Sequence, residues 1–140
     1  MEIKFYHNAP NRLMAACSIA TKAVKQGRRI VVYAPDPEVS RRFDQALWSA
    51  QPLSFVPHVA AASPLAPRTP VVLARDGDNA PHADVLINLG LEPPADYERY
   101  ALLVEVVSRD GEDRDLARRR WQYYKQQGYA IEAYDLNRTE

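Results

Sequence analysis

Short apolar runs alternate along this chain with segments whose apolar residues recur at helical spacing. Residues 30–34 and 102–107 are nearly continuous in apolar side chains, which is typical of strands buried on both faces. Between such runs, Val39, Phe43 and Leu47 follow one another at steps of four and fall on one helical face. This alternation predicts an α/β fold in which a mostly parallel sheet carries helices on both faces.

The order of the predicted elements is βαβα, then a pair of strands, then βαβ. Strands are predicted at residues 3–6, 30–34, 71–74, 85–89, 102–107 and 131–134, and helices from Arg12, from Pro37 and over 113–127. The strands at 71–74 and 85–89 are separated by a turn at 76–79, which predicts a hairpin-like pair. Residues 57–70 hold four prolines and are predicted to form a surface loop with little regular structure.

Length, charge and cysteine content limit the classes of protein that fit. The 140 residues suffice for one hydrophobic core, and no linker divides them, so a single domain over 1–140 is expected. Eighteen basic and eighteen acidic residues cancel, whereas nonspecific nucleic-acid binders carry a net basic field. Cys17 is the only cysteine, which excludes an intramolecular disulfide. The start of the chain lacks a signal-peptide pattern and no apolar run approaches the ~20 residues of a membrane span, so a cytoplasmic protein is expected.

The motifs of nucleotide binding and catalysis are missing from the sequence. No glycine-rich loop follows the first predicted strand, and the histidines lack the spacing of metal ligands. We therefore expect no cofactor, no metal and no catalytic residue. A small α/β enzyme that uses His7, Asp36 and Asn88, each at or just after the carboxyl end of a predicted strand, stays open as an alternative, although nothing in the sequence makes these residues converge.

The most distinctive chemistry lies at residues 114–125, where five cationic side chains and three large aromatic ones occur with a single acid. Residues three and four apart share a helix face, so Arg114, Arg118, Trp121 and Lys125 line one stripe. A cationic stripe that includes an aromatic ring suits an anionic partner with an apolar end. Such a partner is an acidic peptide tail, its terminal carboxylate or a nucleic-acid backbone.

A structural interpretation of this helix remains open. In that interpretation Ala117, Trp121 and Tyr124 pack inward while the arginines are solvated. The sign of the charge argues against it, because the arginines at 118–120 have no acid four residues downstream. Solvated helices usually interleave opposite charges at that spacing.

A second candidate surface combines Trp48 with Phe55 and Val56. Trp48 lies one residue off the apolar face of its helix, and residues 54–58 form at most an extended edge. The aromatic rings are either lids over the core or apolar anchors for a protein partner, since Trp and Phe are enriched at the cores of interfaces.

Together, the two segments resemble the chi subunit family of bacterial DNA polymerase III. The resemblance covers nearly the whole chain and is carried by residues 42–48 (Arg-Phe-Asp-Gln-Ala-Leu-Trp), 54–58 (Ser-Phe-Val-Pro-His), 84–89 and 116–121. It implies a Rossmann-like α/β fold without nucleotide binding. It also implies a non-catalytic accessory subunit that acts in DNA replication.

Two protein partners follow from the resemblance. The psi subunit, which tethers chi proteins to the clamp loader, would cover Trp48, Phe55 and Val56, and some relatives use this surface for an XPD-type helicase. The second partner is the single-stranded-DNA-binding protein, whose acidic C-terminal tail ends in an apolar residue with a free carboxylate. Contact with DNA is then indirect, and no membrane is involved.

The resemblance places the tail on the basic helix. Arg118 would donate to a carboxylate, Trp121 would form an apolar wall, and Arg114 would add a further cation. The chain departs from the family pattern in carrying Gln122 where a lysine is expected, and in a shorter loop at 108–113. Compensation for that lysine by Arg119 or Lys125 is a hypothesis. Direct binding of single-stranded nucleic acid by the arginine helix remains the main alternative, although the strands offer no aromatic stacking platform.

Overall fold

The computed structural model describes residues 1–49 and 56–136. In these ranges the strands are β1 (Glu2–Ala9), β2 (Ile30–Tyr33), β3 (His58–Ala60), β4 (Val71–Ala74), β5 (Val85–Asn88), β6 (Leu102–Ser108) and β7 (Ile131–Asp135). The helices are α1 (Arg12–Lys25), α2 (Pro37–Ser49) and α3 (Gly111–Gln126). The predicted alternation of strands and helices is therefore confirmed.

The strands form one sheet in the order β3-β4-β2-β5-β6-β1-β7, and every pairing is parallel. The predicted hairpin between the strands at 71–74 and 85–89 is wrong, because β2 lies between β4 and β5. Ile30 pairs with Val71 on one side and with Val85 on the other. All residues of β4 and β5 are buried, which requires neighbours on both sides and helices on both faces.

Helices α1 and α2 pack on one face of the sheet and α3 packs on the other. Successive residues of β2 show the division, because Ile30 and Val32 join the core under α1 and α2, whereas Val31 joins the core under α3. Phe43 and Leu47 of α2 are buried as predicted, and Val39 is partly buried beside them.

Capping residues in the sequence set the ends of the helices. The Asn11 side chain accepts a hydrogen bond from the amide of Met14 and caps α1. Asp110 does the same for α3 through the amide of Asp113, so α3 begins at Gly111, earlier than predicted. Gly128 has a φ of 94° just beyond α3, a left-handed conformation that glycine adopts without a Cβ clash.

The proline-rich stretch at 57–70 is more ordered than predicted. It contains β3, an edge strand that pairs with β4 through His58 and Val59, and a 3-10 turn at Ala66–Arg68. The proline that precedes β3 lies before its first paired residue, His58, so it removes no amide from the paired length of the strand. Over the described ranges, no helix is both long and apolar enough to cross a bilayer.

Candidate protein-binding site on helix α3

Helix α3 is anchored to the sheet by three side chains that point inward. Ala117, Arg120 and Tyr124 are buried, at the three- and four-residue spacing of one helical face. The structural interpretation of the helix had Ala117, Trp121 and Tyr124 packing inward. Ala117 and Tyr124 are buried and Trp121 is partly buried against the same core, whereas the buried Arg120 was not expected. The flanks of the helix are consequently the faces that solvent and partners can reach.

Arg120 is held by a buried carboxylate in the middle of β6. Its Nε donates to Oε1 of Glu105 at 3.0 Å, and the two side chains are 1% and 0% exposed. The hydroxyl of Tyr124 and the side-chain amide of Asn88 both donate to Oε2 of Glu105, at 2.6 and 2.9 Å. Burial, followed by the charge of Glu105, raises the pKa of Tyr124.

The same network fixes the loop after β5. Nη1 of Arg120 donates to the carbonyl of Leu91 at 3.0 Å, and the amide of Gly90 donates to Oδ1 of Asn88 at 2.8 Å. A Cβ on Gly90 would lie 3.2 Å from both that oxygen and the ring of Tyr33. The side chain of Asn88 is thus fully engaged in structural hydrogen bonds, and it does not face a site where it could act on a substrate.

A cavity of about 420 Å³ lies between α3 and the β7 edge of the sheet. Its side formed by α3 includes Arg114, Arg118 and Trp121, three of the four residues of the predicted stripe. Its apolar walls come from residues of three strands and one helix position: Phe5, Val107, Ala117 and Ala133. The cavity therefore joins two cations to an apolar surface in one concave site.

Phe5 and Ala133 were not predicted as site residues. The ring of Phe5 meets Trp121 edge to face, with centroids 5.0 Å apart and planes at 71°. Phe5 is opposite Ala133 in the β1–β7 register, which brings a large and a small side chain together on one face. Only the strand register reveals this pair, because residues 5 and 133 are far apart in the sequence.

Among the residues that the structure describes, Arg114 and Arg118 have no strong internal partner. Nη1 of Arg118 lies 3.8 Å from Oδ1 of Asp115, and the two side chains are 70% and 73% exposed, so this contact contributes little. Lys125 is exposed further along α3 and does not line the cavity. Arg119 lies on the opposite flank of the helix, where it lines a separate pocket with Leu91. Neither hypothetical substitute for the missing lysine thus lines this cavity.

The short loop between β6 and α3 is closed by one carboxylate. Oδ2 of Asp113 accepts hydrogen bonds from the amide of Ser108 at 2.8 Å and from its hydroxyl at 2.9 Å. Ser108 lines the cavity together with His7 and Asn8, which follow on from Phe5 in β1. The loop is therefore tight enough to bring the end of β6 to the rim of the site.

The second predicted surface is described in part. Trp48 is 58% exposed, and its ring lies edge-on to His58 with centroids 5.2 Å apart. His58 is buried between the carbonyl of Val56 and Oδ1 of Asp44. Val56 itself is buried in the core under α1 and α2, which leaves it little surface for a partner. Phe55 lies outside the described residues.

The three residues considered for an enzyme site, His7, Asp36 and Asn88, do not come together in the structure. His7 lies at the rim of the α3 cavity, whereas Asp36 accepts a hydrogen bond from the amide of Glu38 at the start of α2. Asn88 is bound within the Glu105 network. In the described ranges, no group of three His, Cys, Asp or Glu residues is arranged to hold a metal ion.

Comparison with known families decides the class of protein. The model of the family described as DNA polymerase III chi subunit, HolC, matches residues 1–132. The chain belongs to this family. It shares 32% identity over 127 residues with the DNA polymerase III subunit chi of Pseudomonas aeruginosa, covering 91% of this chain and 88% of that protein. Identity to the Haemophilus influenzae subunit is 26%, with coverage of 83% and 81%.

Membership makes this chi-family protein a non-catalytic accessory subunit of DNA polymerase III, with a role in DNA replication. The expected family and its accessory role are confirmed. An accessory subunit acts by binding other components of the polymerase assembly. The surfaces of the protein that can bind a partner are therefore its functional features.

Solved structures of other proteins share the chi fold. The C-terminal domain of Saccharomyces cerevisiae Dbp5, solved with Gle1, matches with a TM-score of 0.64 at 10% identity, over 99% of this chain and 92% of that one. Domain 2 of the DEAD-box helicase Mss116p, bound to an RNA duplex, gives a TM-score of 0.67 at 12% identity, over 100% and 66%. At such identities the similarity concerns the α/β fold alone, and the predicted Rossmann-like class is confirmed.

Proposed function

We propose that this chi-family protein is a replication adaptor whose α3 cavity binds the acidic C-terminal tail of the single-stranded-DNA-binding protein. The observation that carries the proposal is the joining of Arg114 and Arg118 to the apolar wall of Trp121 in one cavity. A peptide that ends in an apolar side chain with a free carboxylate offers the complementary pair of groups. The adaptor is one domain over 1–140 and works in the cytoplasm.

The electrostatics of the cavity support a weak and salt-sensitive contact. Both arginines are exposed, and the ion pair of Arg118 with Asp115 is long. A carboxylate that approaches them gains charge-assisted hydrogen bonds without breaking a strong internal one. Because the charges are exposed, added salt screens the attraction and lowers the affinity.

The decisive experiment is a fluorescence-anisotropy titration with a labelled tail peptide of the single-stranded-DNA-binding protein. A peptide without the terminal apolar residue and a labelled single-stranded oligonucleotide are titrated in parallel. We expect binding that needs the terminal residue and little binding of the oligonucleotide. If the oligonucleotide binds and the tail peptide does not, the adaptor proposal is replaced by direct recognition of single-stranded nucleic acid. A steep salt dependence is expected for that binding.

The second partner proposed is the psi subunit, at a surface centred on Trp48, which would link the adaptor to the clamp loader. The exposure of this large indole beside His58 supports an anchor position, because Trp residues are enriched among interface hot spots. Trp48→Ala is expected to abolish capture of psi while leaving tail binding unchanged, since Trp48 does not line the α3 cavity.

Leu65 provides the matched control, because it is equally exposed and lies in the segment between β3 and β4. If psi binds the Trp48→Ala and Leu65→Ala proteins equally well, the Trp48 surface is not the psi site. Capture of an XPD-type helicase but not of psi, lost again with Trp48→Ala, would assign the same surface to the other partner that the family resemblance names.

A further inference from the structure

Within the described residues, no strand pairs with the outer edge of β7. β7 is the last strand of the described sheet, and its residues after Ile131 are all exposed. Edge strands usually carry charged side chains, proline or a bulge that discourages pairing. The sequence of β7, Ile-Glu-Ala-Tyr-Asp, has no proline, and its charged side chains are Glu132 and Asp135. At the opposite edge, β3 is a three-residue strand that follows a proline. β7 is therefore the edge better suited to accept another strand.

Hydrogen bonding to β1 fixes which backbone groups of β7 face outward. The amide of Leu136 donates to the carbonyl of His7 at 2.8 Å, and the two strands stay in register from Ile131 onward. Backbone groups in a strand alternate between its two sides, so even-numbered residues face β1. The amides and carbonyls of Ile131 and Ala133 consequently point away from the sheet.

The side chains of β7 place this edge beside the α3 cavity. Ala133 lines the cavity, and Ile131 packs in the core under α3. The even-numbered Tyr134 lies on the other face, stacked on Tyr6 with ring centroids 5.0 Å apart. Ala133 thus lines the cavity with its methyl group while its backbone amide and carbonyl point outward from the edge of the sheet.

We propose that an acidic peptide with an apolar C-terminal residue binds by adding a strand to the outer edge of β7, with its terminal side chain in the α3 cavity. The proposal rests on the proposed function and specifies how the tail is held. A strand paired with β7 runs beside it at about 4.8 Å. Alternate side chains of that strand then face the same side as Ala133, where Arg114 and Arg118 supply the opposite charge.

In binding by strand addition, the backbone and the side chains of the site recognise different features of the peptide. Ladder hydrogen bonds from Ile131 and Ala133 hold the peptide main chain whatever its sequence, as in other cases of strand addition. The arginines and the apolar walls select for acidic residues and for the apolar end. A short and otherwise variable acidic tail can then be recognised by a site that contains few specific contacts.

The test uses a synthetic Asp-rich peptide that ends in Phe with a free carboxylate, and a series of the same peptide with one backbone amide N-methylated at a time. Methylation removes a donor and blocks strand pairing only where the amide faces β7. We expect a period of two, with alternate positions weakening binding by roughly tenfold or more and the positions between them having little effect. Amide exchange of the protein is measured in parallel.

In the exchange experiment the amides of Ile131 and Ala133 are expected to become protected when the unmodified peptide binds. The amides of β3 on the opposite edge serve as the internal control and should not change. If the unmodified peptide binds while the methylation series shows no alternation and Ile131 and Ala133 stay unprotected, strand addition is wrong and the tail-binding function stands. If the unmodified peptide does not bind at all, the proposed function fails and strand addition fails with it.

Protection of Ile131 and Ala133 that rises with protein concentration in the absence of peptide would assign the edge to a second copy of the chain. That result would also overturn the proposal. The peptide series carries the test without altering the protein, so no variant has to fold for the outcome to be decisive.

Discussion

The guanidinium of Arg120 and the carboxylate of Glu105 form an ion pair inside the core, with Nε and Oε1 3.0 Å apart and both side chains almost fully buried. The pair joins α3 to the middle of β6. Two further donors, Tyr124 and Asn88, complete the coordination of the carboxylate. The helix that carries the α3 cavity is therefore held against the sheet by a polar network, in addition to its apolar contacts.

Removal of the cation from this network is expected to destabilise the fold. Arg120→Met should lower the free energy of unfolding by about 3–5 kcal/mol, because it leaves Glu105 as a buried charge without its partner. Urea unfolding of Arg120→Met, Glu105→Gln and the double variant measures this. The double variant is expected to lose less than the two single variants together, which is the sign of direct coupling.

Arg119→Met is the matched control for this cycle, because Arg119 is the exposed neighbour on the same helix. Its effect on the free energy of unfolding should stay within about 0.5 kcal/mol. Equal losses for Arg119→Met and Arg120→Met would mean that the buried pair does not stabilise the fold as argued.

Arg118 is expected to contribute directly to peptide affinity. Arg118→Ala should weaken binding of the tail peptide by about 2 kcal/mol, roughly 30-fold, because one charge-assisted hydrogen bond to a carboxylate is lost. The measurement is the anisotropy titration, with Arg119→Ala as a variant of equal charge on the opposite flank of α3. Similar weakening by both variants would indicate long-range attraction and would count against a contact in the cavity.

The sequence predicts the fold well where the pattern is local. The helix starts at Arg12 and Pro37 and the apolar face of Phe43 and Leu47 depend on a few neighbouring residues, and each is found in the structure. The pairing of strands is not local. The turn between β4 and β5 resembles a hairpin turn in composition, whereas the actual neighbour of both is β2, more than 30 residues earlier in the chain.

The candidate site shows the same limit. Helical spacing alone placed Arg114, Arg118 and Trp121 together, and they do line one cavity. Arg120 was misjudged because its partner Glu105 lies on another element, although a single acid inside the apolar strand at 102–107 was the available signal. The apolar wall at Phe5 and Ala133 left no signal in the sequence, since it depends on the register of β1 and β7.

The ion pair between Arg28 and Asp84 is expected to make stability fall in acid. The hydrogen bond from Arg28 lowers the pKa of Asp84 below its ordinary value of 3.8. The stabilisation is therefore complete above pH 3.8 and is lost as the pH falls through the lower pKa of the folded state. Because both side chains are about one-third exposed, the effect should not exceed about 1 kcal/mol.

Urea unfolding of the wild-type protein and of Asp84→Asn at neutral pH and at about pH 2 tests this expectation. The difference in stability should be present at neutral pH and should shrink in acid. A difference that is independent of pH would show that the Asp84 carboxylate does not gain stability from its charge.

Cys17 is expected to be unreactive in the folded protein. Burial in the core raises the pKa of its thiol to about 12, so almost no thiolate exists near neutral pH. A disulfide reagent such as dithiobisnitrobenzoate should react at a rate set by unfolding, and rapidly in urea. Rapid stoichiometric reaction of the native protein would mean that α1 exposes this position.

The place of β1 between β6 and β7 has a consequence for how the protein is made. In the described sheet, residues 2–9 pair only with strands that begin at residue 102 or later. During synthesis on the ribosome, the strands that pair with this early segment emerge only after most of the chain has been made. Ile3 and Phe5 therefore cannot be buried in the sheet before that point. Completion of the sheet is therefore a late, long-range event, and the binding cavity, which needs β1, β7 and α3 at once, appears only with it.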